Sequence, residues 1–96
     1  MPLLSDEART TALADLPAWS LDADGTVISR RFTFPDFSSA MAAMIHVAFE
    51  AEALGHHPDW ANSYNRLEVR LTTHDAGGLT EKDVALAKVF EAFCAP

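Results

Sequence analysis

The chain has 96 residues, room for one hydrophobic core and no more, so it reads as a single domain spanning 1–96. Seven Lys and Arg stand against fourteen Asp and Glu, a net charge of −7 with neutral histidine, which argues against a nucleic-acid module that neutralises phosphates and against attraction to an anionic membrane surface. No apolar run approaches the ~18 residues of a membrane span. Met1-Pro2-Leu3-Leu4 has no basic segment of the kind that opens a signal peptide, and the single cysteine, Cys94, excludes an internal disulfide framework. Together these features predict a reducing, cytoplasmic setting.

Residues 5–16 predict a helix. Ser5 suits the N-cap, Asp6 and Glu7 complement the dipole of the first turn, and Pro17 stops it. Residues 18–34 predict a hairpin turning at Asp24-Gly25, with Trp19 and Leu21 before the turn and Ile28, Phe32 and Phe34 after it on one face. Arg30 falls on that same face, so either the face is wet or the arginine lies at an edge. Residues 36–54 predict the longest helix, capped by Asp36 or Ser38 and closed by Gly55. Phe37, Ala40, Met41, Met44, Ile45, Ala48 and Leu54 recur near helical spacing, while Ala42, Ala43, Val47 and Phe49 fall elsewhere. So wide an apolar surface means either a second burial partner, such as another subunit, or a helix packed on a sheet with some alanines exposed.

Residues 60–74 predict a short extended piece ending near Tyr64, a turn at Asn65, and a clean strand. In that strand Leu67, Val69 and Leu71 share one face and Arg66, Glu68, Arg70 and Thr72 the other. Residues 80–93 predict a helix opened by the capping box Thr80-Glu81-Lys82-Asp83, with Leu79 and Val84 as a hydrophobic staple and a buried stripe of Leu86, Ala87, Phe90 and Phe93. Cys94 reads as a small apolar residue near the end of that helix. Mixed elements without βαβ spacing imply an α+β fold.

Three of the four histidines sit at element ends. His56 and His57 follow the helix closed by Gly55 and are stiffened by Pro58, and His74 closes the long strand. Histidine is the side chain suited to moving protons near neutral pH, and loops at element ends are common places for function. Glu52 precedes His56 by four residues, so one helical face would bring its carboxylate to that imidazole. His46, mid-helix, reads as a solvated or interface residue with Glu50 as its i,i+4 partner.

The run Glu52-Ala53-Leu54-Gly55-His56-His57-Pro58-Asp59-Trp60, followed by Tyr64, His74, Gly78-Leu79-Thr80-Glu81 and Asp83, resembles the signature of the pterin-4a-carbinolamine dehydratases. The resemblance implies a four-stranded antiparallel sheet with three helices on one face, in the order α-β-β-α-β-β-α. It implies dehydration of 4a-hydroxytetrahydropterin to quinonoid dihydropterin with no metal and no redox cofactor. It implies His56 and His74 as the acid/base pair and Glu52 as a residue that orients or tunes a histidine. His57, Pro58, Thr73, Asp75 and Ala76 would bind substrate, and residues 37–54 would join subunits into a homodimer or homotetramer. Trp60 would serve as a pocket wall or, more in keeping with its size, as a core anchor. Two departures stand out. Lys82 occupies a position where arginine is common and lacks the planar fork, and Ala76 replaces the cysteine of some members. Two rival readings remain: a non-catalytic dimeric module of the same fold, and a metalloenzyme using Glu52, His56 or His57, and His74.

Overall fold

The computed structural model describes all residues, Met1–Pro96. Three helices and four strands follow in the order α1 (Asp6–Ala14), β1 (Ser20–Leu21), β2 (Ile28–Thr33), α2 (Phe37–Leu54), β3 (Asp59–Ser63), β4 (Arg66–Leu71) and α3 (Glu81–Cys94). The sheet is antiparallel throughout, in the order β1-β2-β4-β3. The α+β class and element order match the sequence expectation.

Alternation along the strands decides which side the helices cover. Ile28, Phe32, Leu67, Val69 and Leu71 are buried, and their neighbours Arg31, Thr33, Arg66, Glu68 and Arg70 face solvent. The buried set joins Leu16, Trp19, Val47, Leu79, Leu86, Ala87 and Phe90 in one core. Aromatic rings tie its layers together: Phe32 stacks on Phe90 at 6.0 Å, and Trp19 and Trp60 meet Phe90 edge-on at 6.2 and 5.8 Å. Trp60 is therefore a core anchor.

The helix ends form as their residues require. The side chains of Ser5 and Asp36 accept from the amides of Ala8 and Ser39, and Thr80 with Asp83 completes a reciprocal capping box. The amide donated by Ser39 holds the Asp36 carboxyl below its ordinary value. Cys94 is buried, and desolvation pushes its thiol up to about 11, so it stays protonated at neutral pH.

Several expectations are corrected. The hairpin does not turn in two residues at Asp24-Gly25. Its first pair is Leu21 with Ile28, because the Asp22 carboxylate gathers the amides of Thr26 at 2.8 Å and Val27 at 3.1 Å and widens the loop to 22–27. Those donors lower the Asp22 pKa. Arg30 does lie at an edge: β1 covers only Ile28 and Ser29, so β2 is unpaired on that side from Arg30 onward. There it pairs with Glu91 of α3, which also accepts from Trp19 Nε1 at 2.8 Å.

On α2 the core stripe is Ala40, Ala43, Val47 and Ala51, of which only Ala40 belongs to the expected stripe. Phe37, Ile45 and Phe49 are exposed, as is Phe93 of α3, against the expectation of a buried stripe that includes it. The Phe93 ring meets His46 edge-on at 5.1 Å, so the aromatic, and not Glu50, is the partner of that histidine.

Candidate functional site

The three terminal histidines come together because three chain breaks meet at one end of the sheet. Gly55 adopts a left-handed conformation (φ 66°) that closes α2 and turns the chain out of the helical path. His56 and His57 follow on the irregular link into β3, held by Pro58. Past the end of β4, beside the start of β3, a bridge between Thr73 and Gly78 pinches the chain, and His74 opens the short 3₁₀ turn His74–Ala76 inside it. A groove of about 330 Å³ runs between these segments, lined by Gly55, His56, His57, Pro58, Asp59, Thr72, Thr73, His74 and Asp75. A larger groove of about 710 Å³ between α1 and α3 contains no histidine.

Each histidine of the groove meets its own carboxylate through Nε2. His56 contacts Asp83 Oδ1 at 2.6 Å, His57 contacts Glu52 Oε1 at 2.8 Å, and His74 lies 3.4 Å from Asp59 Oδ2. The three pairs differ in burial. The side chains of His56 and Asp83 are 11% and 0% exposed, against 67% and 79% for His57 and Glu52. Only the first pair is shielded enough to lock a ring orientation.

The expectation that Glu52 serves His56 is thus corrected. Four-residue spacing aligns side chains only while the helix continues, and the reversal at Gly55 delivers His57 to Glu52 instead. Because that pair is exposed, Glu52→Gln is expected to change kcat/KM by roughly fivefold or less, measured on purified variant. A larger loss would mean that the carboxylate touches substrate.

Asp83, quoted in the signature run and in the capping box, carries no site role in the sequence reading. Besides His56 it accepts at Oδ2 from Thr80 N at 2.9 Å and Thr73 Oγ1 at 2.7 Å. The Thr80 hydroxyl meets Thr73 Oγ1 at 2.8 Å and itself accepts from Lys82 N at 3.3 Å. The directions follow from the carboxylate, which can only accept: Thr73 spends its one proton on Asp83, so Thr80 donates to Thr73 and itself accepts from the Lys82 amide. The carboxylate is left as pure acceptor, so His56 donates through Nε2 and its Nδ1 is the lone-pair nitrogen in the neutral ring. The available signal was the capping box, in which Asp83 holds the third helical position.

Of the other candidates, Pro58, Thr73 and Asp75 line the groove, while Glu52 and Ala76 do not. The Thr73 hydroxyl is engaged by Asp83 and Thr80, and its backbone N–H and carbonyl are bonded across the turn to Gly78, Ala76 and Gly77. Lys82 Nζ lies 3.9 Å from where a Cβ on Gly55 would stand. No three His, Cys, Asp or Glu side chains converge at metal-ligand spacing. No helix is long and apolar enough to cross a membrane.

Comparison with known proteins bears on this arrangement. A family model described as pterin 4 alpha carbinolamine dehydratase matches residues 2–93. A relative from Rhizorhabdus wittichii, carrying the name of a pterin-4-alpha-carbinolamine dehydratase, is 55% identical over 89 residues, covering 93% of this chain and 92% of its own. One of the same name from Rhodospirillum rubrum is 51% identical over 88 residues, 92% of each chain. A crystal structure from Brucella melitensis, described as a transcriptional coactivator/pterin dehydratase, superposes with a TM-score of 0.91 at 39% identity, covering 96% of this chain and 98% of that one. With the fold, the groove and the full-length match in agreement, the chain belongs to the pterin-4a-carbinolamine dehydratase family of hydro-lyases.

Proposed function

We propose that the chain, acting as a single domain in the cytoplasm, dehydrates 4a-hydroxytetrahydropterin to quinonoid dihydropterin and so supports recycling of tetrahydropterin. The observation that carries this reading is the set of three histidines around one groove, each facing a separate carboxylate through Nε2. Elimination of water here needs two proton transfers. The 4a hydroxyl leaves as water once an acid protonates it, the C4a–O bond breaks, and a base takes the N5 proton as the C4a=N5 bond forms. Neither step needs a redox partner.

His56, with Nε2–H committed to Asp83, presents Nδ1 and takes the base role; the acid role falls to His74. His57, exposed and tethered only to Glu52, contributes to binding, and Pro58, Thr73 and Asp75 shape the site around the ring. General acid–base catalysis of this kind contributes typically ~10²–10⁴-fold. The test is dehydration of the carbinolamine by purified protein before and after exhaustive chelation. Rates above the uncatalysed reaction that survive chelation support the reading. Activity that returns only with added zinc or iron supports the metalloenzyme, and no activity at all supports the non-catalytic module.

Self-association through residues 37–54 belongs to the same proposal. Phe37, Ile45 and Phe49 on α2 and Phe93 on α3 are exposed, and Met41 and Met44 are half-buried. Apolar side chains grouped on one helical layer favour cover by a second copy. Light scattering at micromolar concentration is expected to give a dimer or tetramer of the 10.4 kDa chain. A monomer would overturn this part.

A further inference from the structure

His74 stands between two grooves. The second, about 260 Å³, shares Asp59, Thr72 and His74 with the first and extends to Arg70, Thr26 and Gly77. Arg70 is exposed on β4, where strand register sets it opposite Asp59. Register alone would pair the two, yet the Asp59 carboxylate turns to His74. Arg9, Arg30 and Arg31 each hold a carboxylate, whereas Arg66 and Arg70, both exposed on β4, enter no ion pair of the chain. A guanidinium offers five N–H donors in a planar fork suited to a carboxylate or phosphate. Of these two arginines, Arg70 alone lines the groove continuous with the histidines, and it does so in a chain of net charge −7.

The chemistry of the substrate supplies the second half of the argument, which rests on the dehydratase reading. In a 4a-hydroxytetrahydropterin, N5 is bonded to both C4a and C6. A side chain at C6 therefore leaves the ring beside the atoms that lose water. A ring held with N5 at His56 and its 4a hydroxyl at His74 lies between the two histidines, and its side chain can leave the first groove where the second opens from it, at Asp59, Thr72 and His74. We infer that the second groove is the subsite for the C6 side chain and that Arg70 selects side chains ending in an anion, phosphate or carboxylate, over neutral polyols.

The test compares three 4a-hydroxytetrahydropterins, with a neutral dihydroxypropyl, a phosphorylated and a carboxylated side chain at C6. Wild-type protein is expected to favour at least one anionic substrate by about tenfold or more in kcat/KM, mainly through KM. Whichever anion is preferred identifies its source. Arg70→Gln should bring the ratio close to one, and Arg70→Lys should keep part of it. Arg66→Gln removes the same charge from the same face of β4, about 13 Å away by strand rise, and should leave the ratio at the wild-type value. Equal kcat/KM for all three substrates in wild type, or equal loss of preference in Arg66→Gln and Arg70→Gln, would overturn the subsite and leave the dehydratase reading intact. Turnover of none of them above the uncatalysed rate would overturn the dehydratase reading and the subsite with it.

Discussion

Alanine at His56 or at His74 is expected to lower kcat by roughly ten- to a thousand-fold, while His57→Ala mainly raises KM. A proton-transferring group acts in the transition state, so its loss lowers kcat and kcat/KM together. A binding group contacts ground and transition states alike, so its loss appears in KM. The structure sharpens the contrast: His56 is buried against Asp83, whereas His57 is exposed with an exposed partner. The carbinolamine also loses water unaided, which sets a floor under every variant and compresses the losses. The effects at His56 and His74 should combine less than additively, because both groups act on one step. Steady-state kinetics on the three single variants decides the matter. Loss of kcat in His57→Ala with His74→Ala near wild type would reverse the assignment.

Asp83→Ala is expected to damage both stability and rate, and Asp83→Asn to separate the two. Asp83 is fully buried and accepts from His56, Thr73 and the Thr80 amide. Alanine leaves one buried donor, the Thr80 amide, and two part-buried ones, on His56 and Thr73, without this acceptor, at ~1–3 kcal/mol each where burial is full, and removes half of the capping box. A loss of about 3 kcal/mol or more follows, which in a domain of this size lowers Tm by roughly 12 °C or more. Asparagine fills the same volume and keeps one acceptor. The Thr80 amide can only donate, so the Asn oxygen stays with it and the NH₂ faces His56. That ring must then accept at Nε2 and carry its proton on Nδ1, the nitrogen assigned as base. Asp83→Asn should therefore fold, by thermal melting, yet lose kcat on the scale of His56→Ala. A folded Asp83→Asn with wild-type kcat would remove Asp83 as the positioning residue of His56.

Most of the architecture was legible because its signals are local. Alternation across Leu67, Val69 and Leu71, the Thr80–Asp83 box and Gly55 after a long apolar run each mark an element by themselves. What was hidden depends on competition or distance. Asp22 outbids Asp24-Gly25 for the hairpin because its carboxylate reaches two amides at once. The buried stripe of α2 is mostly alanine while the larger apolar residues Phe37, Ile45 and Phe49 stand on its outer surface, so hydrophobic periodicity points away from the buried face. The site was half visible. The histidines are conspicuous by position, but their carboxylates lie 27 residues away for His56 and 15 for His74. Only the Glu52–His57 pair is local, and there helical spacing named the wrong partner because the helix ends between the two residues.

The central claim is that His56 and His74 move the protons. Its most direct test is the carbinolamine dehydration rate of the His56→Ala/His74→Ala double variant, measured beside its binding of an unreactive tetrahydropterin analogue. The account predicts a rate close to that of the uncatalysed reaction from a protein that still folds and still binds the analogue. A double variant that dehydrates the substrate near the wild-type rate would contradict it.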